Sequence, residues 1–185
     1  MHYETFAPLW RPGSIALFRW TPAAAEYAPE LPWTSIGRFG DGSFKAIYFA
    51  ETAKGAVAEF LRRHPEFFSL QDHLRIRLFE VDLNIPGECL DVRHEQAQAD
   101  VGISLDRLTS SDVDEHERYM ACWDLAHATW AWGSTGIAYP SAAANWADAW
   151  NLALFGDPST ETWHPLNVSE IDPPQLAVDE VRVLA

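Results

Sequence analysis

Three stretches of the sequence set polar side chains inside apolar surroundings, and each suggests a piece of chemistry. In Leu17-Phe18-Arg19-Trp20 an arginine interrupts an aromatic run. Its guanidinium must reach solvent, a carboxylate or a phosphate, because a buried charge without a partner is costly. An edge-strand arginine reaching water would satisfy the same rule. In Gly37-Arg38-Phe39-Gly40 flexible glycines flank a second arginine, so that backbone and guanidinium can close on a pyrophosphate. Ile47-Tyr48-Phe49-Ala50-Glu51-Thr52 then leads straight into a helix, whose first amides favour an anion. Glu59 lies on that helix seven residues after Thr52, beside the apolar stripe. A carboxylate there suits a salt bridge at the core boundary, or the stabilisation of positive charge in a ligand. The third stretch is Gly136-Ile137-Ala138-Tyr139-Pro140-Ser141-Ala142, followed by Asn151-Leu152-Ala153-Leu154-Phe155. Ser141 comes just after a strand and a proline, without the Gly-x-Ser-x-Gly elbow of a hydrolase, so hydrogen bonding to a ligand suits it better than attack.

Other candidates are weaker. His116 among the acids of Asp112–Glu117 reads as a solvated helix start rather than a metal site. His127 reads as a core histidine, and Trp123, Trp130 and Trp132 as packing residues. No Walker loop, zinc signature or Gly-x-Gly-x-x-Gly fingerprint occurs.

The elements that must carry these residues follow from hydrophobic periodicity. Ile15–Trp20 reads as a strand, Thr21–Ile36 as a Pro- and Ala-rich loop, and Gly37–Gly42 as a turn. Ala46–Ala50 is a compact apolar strand. Ala53, Ala56, Val57, Phe60 and Leu61 then repeat at helical spacing, with Thr52 as the cap. Leu74–Leu83 and Cys89–Val92 read as strands, and Asp114–Trp132 as the longest helix, with Met120, Trp123, His127 and Trp130 on one face. Gly136–Tyr139, Trp150–Phe155 and Leu176–Leu184 complete the strands. Strands and helices interleave without the regular period of a doubly wound sheet, so the expected class is α+β (mixed α/β). The 185 residues are expected to form one domain.

Composition narrows the function. The net charge of −14, from 13 basic and 27 acidic side chains, argues against direct nucleic-acid binding, which needs clustered Lys and Arg. The acid reads mainly as a solvated surface, and it is compatible with a basic protein partner. Two isolated cysteines, no apolar run of membrane-spanning length and no recognisable signal peptide lead to the expectation of a soluble cytoplasmic protein. Nine tryptophans and ten phenylalanines imply a large core, and leave open a planar or sugar ligand stacked on aromatic rings.

In their order and spacing the motifs resemble the RES-domain family, named for its arginine, glutamate and serine. The family pattern is an aromatic-Arg strand, a Gly-Arg-Trp-Asn-like turn, a Tyr-x-Ala/Ser strand entering a glutamate-bearing helix, a Pro-Ser-Ala segment and an Asn-Leu-x-Leu-Phe strand. Here these are Phe18-Arg19, Gly37-Arg38-Phe39-Gly40, Tyr48-Phe49-Ala50 with Glu59, Pro140-Ser141-Ala142 and Asn151–Phe155, over a motif-bearing core of about residues 15–156. The turn departs from the pattern: Trp-Asn is replaced by Phe39-Gly40, which keeps the aromatic and loses the amide.

The resemblance implies a fold similar to ADP-ribosyltransferases and a reaction consuming NAD without a metal. It also implies a toxin–antitoxin toxin partnered by a helix-turn-helix, Xre-like antitoxin; a homo-oligomer is compatible with it. Some members break NAD down with water or phosphate, and others move ADP-ribose onto a protein. Under that resemblance Glu59 would stabilise the cationic ribose, as in glycoside cleavage. Arg19 and Arg38 would fork onto the pyrophosphate. Tyr48 would stack on nicotinamide or bond a ribose hydroxyl, Ser141 would orient the amide or ribose, and Asn151 would join them in binding. The lost amide of the turn motivates an alternative, a catalytically silent module of the same fold that binds NAD or a partner.

Overall fold

The computed structural model describes residues 9–24, 37–64, 76–85, 87–109, 115–143, 149–156 and 164–174, leaving aside the side chains of 115–118 and 164. Along these residues the chain forms β1 (Leu9–Trp10), β2 (Gly13–Pro22), β3 (Ala46–Ala50), α1 (Ala53–Arg63), β4 (Ile76–Ile85) and β5 (Cys89–Asp91). There follow α2 (Glu95–Val101), α3 (Leu105–Thr109), α4 (Glu115–Ala131), β6 (Gly136–Pro140), β7 (Trp150–Phe155) and β8 (His164–Ile171). The strands make one mixed sheet in the order β1-β5-β6-β7-β3-β2-β4-β8. Only the β5–β6 pair is parallel.

Chain length forces this sheet to curl. Only two residues separate Trp10 of β1 from Gly13 of β2, yet these strands stand first and sixth in the order. Five strand spacings span about 24 Å in a flat sheet, whereas three chain steps reach at most about 11 Å. The sheet therefore bends until its first strand comes back beside β2. Its concave face is filled by one apolar cluster that draws Leu17, Phe79 and Val81 from β2 and β4, and Ile47, Phe49, Leu152 and Leu154 from β3 and β7.

Strand alternation sends Ala46, Tyr48 and Ala50 to the opposite, convex face, which carries the helices. Helix α1 packs there through Ala56, Val57, Phe60 and Leu61 against Ala50 and Leu78. Thr52 caps it as expected, its side chain accepting from the Gly55 amide at 3.0 Å. Arg62 and Arg63 in its last turn complement the helix dipole. The α2–α4 layer packs farther along the face through Leu108, Cys122, Leu125 and Ala126 against Ile137, Tyr139 and Ala153.

The α+β class and most element positions agree with the sequence reading; β3 and β7 coincide with it residue for residue. Thr21 and Pro22 extend β2 rather than opening the loop. The four elements β1, α2, α3 and β8 are ones the periodicity did not reveal. The strand expected at Leu176–Leu184 lies outside the described residues. The long helix requires a correction. Its sheet-facing residues are Tyr119, Cys122, Leu125, Ala126 and Thr129, while Met120, His127, Trp130 and Trp132 are exposed. Small residues let α4 approach the sheet closely, which a stripe of tryptophans would prevent.

Candidate active site

Glu59 stands at the wall of a cleft bounded by α1, β2 and the turn at Gly37. The cleft is lined by Arg19, Tyr48, Glu59, Arg63, Tyr139 and Asn151, among others. Tyr48, Tyr139 and Asn151 project from β3, β6 and β7 and make the floor, with Tyr139 and Asn151 directly paired across the sheet. Beside the floor, β2 and β3 are joined through a single residue pair, Phe18↔Ala50. Arg19 follows that joint and reaches the cleft while only 6% exposed.

The glutamate is fully engaged. Its Oε1 accepts from Ser141 Oγ at 2.9 Å and from Asn151 Nδ2 at 2.8 Å. Its Oε2 accepts from Arg62 Nε at 3.2 Å, one turn along the same helix. Burial is the largest influence on the carboxyl and pushes its pKa up. Arg62 and Arg63, with the Ser141 and Asn151 hydrogen bonds, outweigh it and hold the group below its ordinary value. Glu59 is therefore an anion kept ready in a partly dry place. Ser141 is itself pinned, since its Oγ accepts from the Ala143 amide at 3.2 Å and its own amide donates to the Ala149 carbonyl at 2.9 Å.

The tyrosines stay protonated as donors. Burial pushes Tyr48 up to about 12, although the Phe39 amide donates to its hydroxyl at 3.1 Å. Burial, reinforced by the Glu59 charge, raises Tyr139 as well.

The glycine turn borders the cleft through Gly37. Gly37 and Gly40 bond each other in both directions, at 2.7 and 3.2 Å, so the turn is closed on itself. Trp123 Nε1 holds it from α4 by donating to the Gly37 carbonyl at 2.8 Å. A second tether joins His127 Nε2 to Asp41 Oδ2 at 2.9 Å, so this exposed histidine has its work at the turn and not in the core. A Cβ at Gly37 would stand 3.0 Å from the Tyr48 hydroxyl, which explains why the turn approaches the tyrosine so closely only with glycine there.

The structure thus gathers Glu59, Ser141 and Asn151 into one hydrogen-bonded group, with Tyr48 and Arg19 on the same cleft. Arg38 is not among the lining residues, although its charge acts on Tyr48 and Tyr139, which are. That guanidinium is buried, donates from Nη1 to the Arg107 carbonyl at 3.3 Å and lies 5.3 Å from the Tyr119 ring centre. Its neighbour Gly37, not Arg38, lines the cleft. Arg63 and Tyr139 are cleft residues the sequence reading passed over. Arg63 had a signal, because four residues after Glu59 it shares a helix face with it. Tyr139 had less, being one aromatic among many. The departing turn residues are structural: Phe39 is fully buried and meets Tyr139 edge-on at 4.7 Å.

No curated protein matches the sequence. Among solved structures, a chain of the crystal structure of the M. tuberculosis MbcT–MbcA toxin–antitoxin complex is similar, with a TM-score of 0.64 at 19% identity over 86% of this chain and 85% of that one. At that identity the likeness establishes the fold. The RES domain matches residues 8–171, and so spans β1 to β8 and every residue of the cleft. The chain belongs to the RES domain family.

Proposed function

We propose that this protein cleaves the nicotinamide–ribose bond of NAD and serves as the toxin of a toxin–antitoxin pair. The observation that carries the reading is the ionised Glu59, locked by Ser141, Asn151 and Arg62 on a cleft that also holds two arginines and two tyrosines. Membership of the RES family and a fold shared with a chain of a toxin–antitoxin complex support it.

In this reading the bond between ribose C1′ and the pyridinium nitrogen breaks, and its electron pair leaves with neutral nicotinamide. The positive charge left on the ribose is stabilised by the Glu59 carboxylate. A nucleophile then bonds to C1′ and releases its proton; water, phosphate and a protein side chain all satisfy that balance. Arg19 and Arg63 hold the pyrophosphate, with Arg19 making forked hydrogen bonds. Tyr48 meets the nicotinamide ring or a ribose hydroxyl. Ser141 and Asn151 fix the carboxylate, while Arg38 supports the glycine turn from behind. Most of the rate comes from holding NAD against charges already in position. A helix-turn-helix antitoxin is the proposed partner and the cytoplasm the proposed site of action.

The decisive assay incubates the purified protein with NAD and follows nicotinamide release, with and without phosphate and with cell extract as a source of acceptors. Absence of release under all three conditions would sink the enzyme. The Phe39-Gly40 departure favours a second reading, a module that binds NAD or a partner without turnover, because Gly40 offers no side-chain amide to a ligand. Calorimetry with NAD recovered intact would favour that alternative.

A further inference from the structure

Asn151 has one end of its amide committed and the other open. Its Nδ2 donates to Glu59 Oε1 at 2.8 Å, while its Oδ1 is buried and has no hydrogen-bond partner among the described residues. The amide cannot simply be turned round. An ionised carboxylate has no proton to give, so only the NH2 end of the asparagine can face Glu59. The same Glu59 oxygen already receives Ser141, which fixes the carboxylate in its turn. Nor can the backbone swing away, because Asn151 is paired with Ala50 on one side and Tyr139 on the other. A buried carbonyl oxygen held without a donor is rare in folded proteins and calls for an explanation. Asn151 is 3% exposed and contributes to the cleft wall, so bulk water does not meet the need.

We infer that Asn151 is a specificity-determining residue whose Oδ1 accepts a hydrogen bond from a hydroxyl of the nicotinamide-side ribose of NAD. This rests on the NAD reading above and deepens it. The amide is a small rigid plane, so its oxygen lies close to the carboxylate that its nitrogen touches. If Glu59 faces C1′, the donors nearest that atom are the hydroxyls on C2′ and C3′, while the nicotinamide amide lies across the pyridine ring. One side chain thus has two duties: Nδ2 orients Glu59, and Oδ1 reads the sugar. A site built around such a bond strongly rejects an analogue that lacks the hydroxyl.

The test compares wild type, Asn151→Ala and Asn151→Asp on NAD and on analogues lacking the 2′- or the 3′-hydroxyl of the nicotinamide ribose. A fourth substrate replaces the nicotinamide amide with an acetyl group. Wild type is expected to lose at least about tenfold in kcat/KM on one deoxy analogue, and Asn151→Ala to treat that analogue and NAD alike. Asn151→Asp loses the donor to Glu59 but keeps an acceptor, and is expected to discriminate still. If the losses from Asn151→Ala and from the missing hydroxyl multiply, the residue only positions Glu59 and the inference falls. Coupling to the acetyl analogue alone would equally overturn it, assigning Oδ1 to the nicotinamide amide. Asn151→Leu replaces the alanine variant if that variant does not fold. If wild type binds NAD without consuming it, the same comparison is read as dissociation constants, so that loss of the activity reading leaves this one standing or falling alone. Absence of NAD binding as well overturns both.

Discussion

Asn151 Nδ2 and Glu59 Oε1 lie 2.8 Å apart although 92 positions separate the two residues in the chain. The contact ties β7 to α1 across the cleft and makes the orientation of the carboxylate a property of the sheet. Ser141 donates to the same oxygen from the segment after β6. Substitution at Glu59 therefore tests chemistry and architecture together.

Glu59→Gln is expected to lower NAD turnover at least about tenfold, the effect of losing roughly 1.4 kcal/mol of transition-state stabilisation. The neutral amide cannot offset the ribose charge, and its NH2 has to contend with the donors Ser141 and Asn151. Nicotinamide release by the folded variant measures this; an unchanged rate would assign the chemistry elsewhere.

The pH dependence follows from the direction of the Glu59 shift. Because the folded carboxyl is held below its ordinary value, Glu59 stays charged as pH falls past the range where a free glutamate protonates. The stability its ionisation contributes is present above that range and is lost as pH falls through the lowered pKa. Arg63→Ala removes one of the charges holding it down, and is expected to move the acid limb of the kcat/KM profile to higher pH. A profile identical to wild type would contradict this.

The two arginines proposed from the sequence are expected to behave differently. Arg19→Ala should raise KM for NAD, since its side chain lines the cleft. Arg38→Ala leaves the Arg107 carbonyl without that donor and removes the contact over Tyr119, so about 1–3 kcal/mol of stability is expected to be lost. Denaturant unfolding of both variants, alongside their kinetics, separates the cases. An Arg38→Ala protein as stable as wild type would point to a direct role in the cleft.

Gly136→Ala examines the sheet rather than the chemistry. A Cβ there would lie 2.3 Å from the Ala153 carbonyl oxygen, which belongs to the backbone of the neighbouring strand. Neither strand can retreat, so destabilisation of about 3 kcal/mol or more is expected. A melting temperature within a few degrees of wild type would disprove it.

How much of this could be read from the sequence depended on how each element is buried. The strands β3 and β7 lie inside the sheet and so appear as compact apolar runs, broken in β7 only by Asn151. By contrast, β8 runs along an edge, and its alternation covers only Leu166–Ser169 before Glu170 follows Ser169 and breaks it. The helices α2 and α3 are too short for a helical period to emerge. Glu59, Ser141 and Asn151 were visible as polar interruptions in apolar segments. Arg38 stands out in the same way, but a buried arginine bonded to a carbonyl and an arginine facing a ligand leave the same mark in a sequence. On α4 aromatic bulk is no measure of burial, because close approach to the sheet selects Cys122 and Ala126 and leaves Met120 and Trp130 outside.

The two-residue link between β1 and β2 has a bearing on how the molecule assembles. Leu9 pairs with Leu90, so the register of β1 waits on a part of the chain some eighty residues downstream. The long β2–β4 ladder has its own partners and can zip independently of that event. The β3–β7 and β4–β8 ladders close spans at least as long, so the fastening of β1 to β5 is one of several long-range closures on which the sheet depends. Until that clasp shuts, Trp10 is missing from its place against the concave cluster around Leu17 and Leu152, and apolar surface left bare in this way favours aggregation.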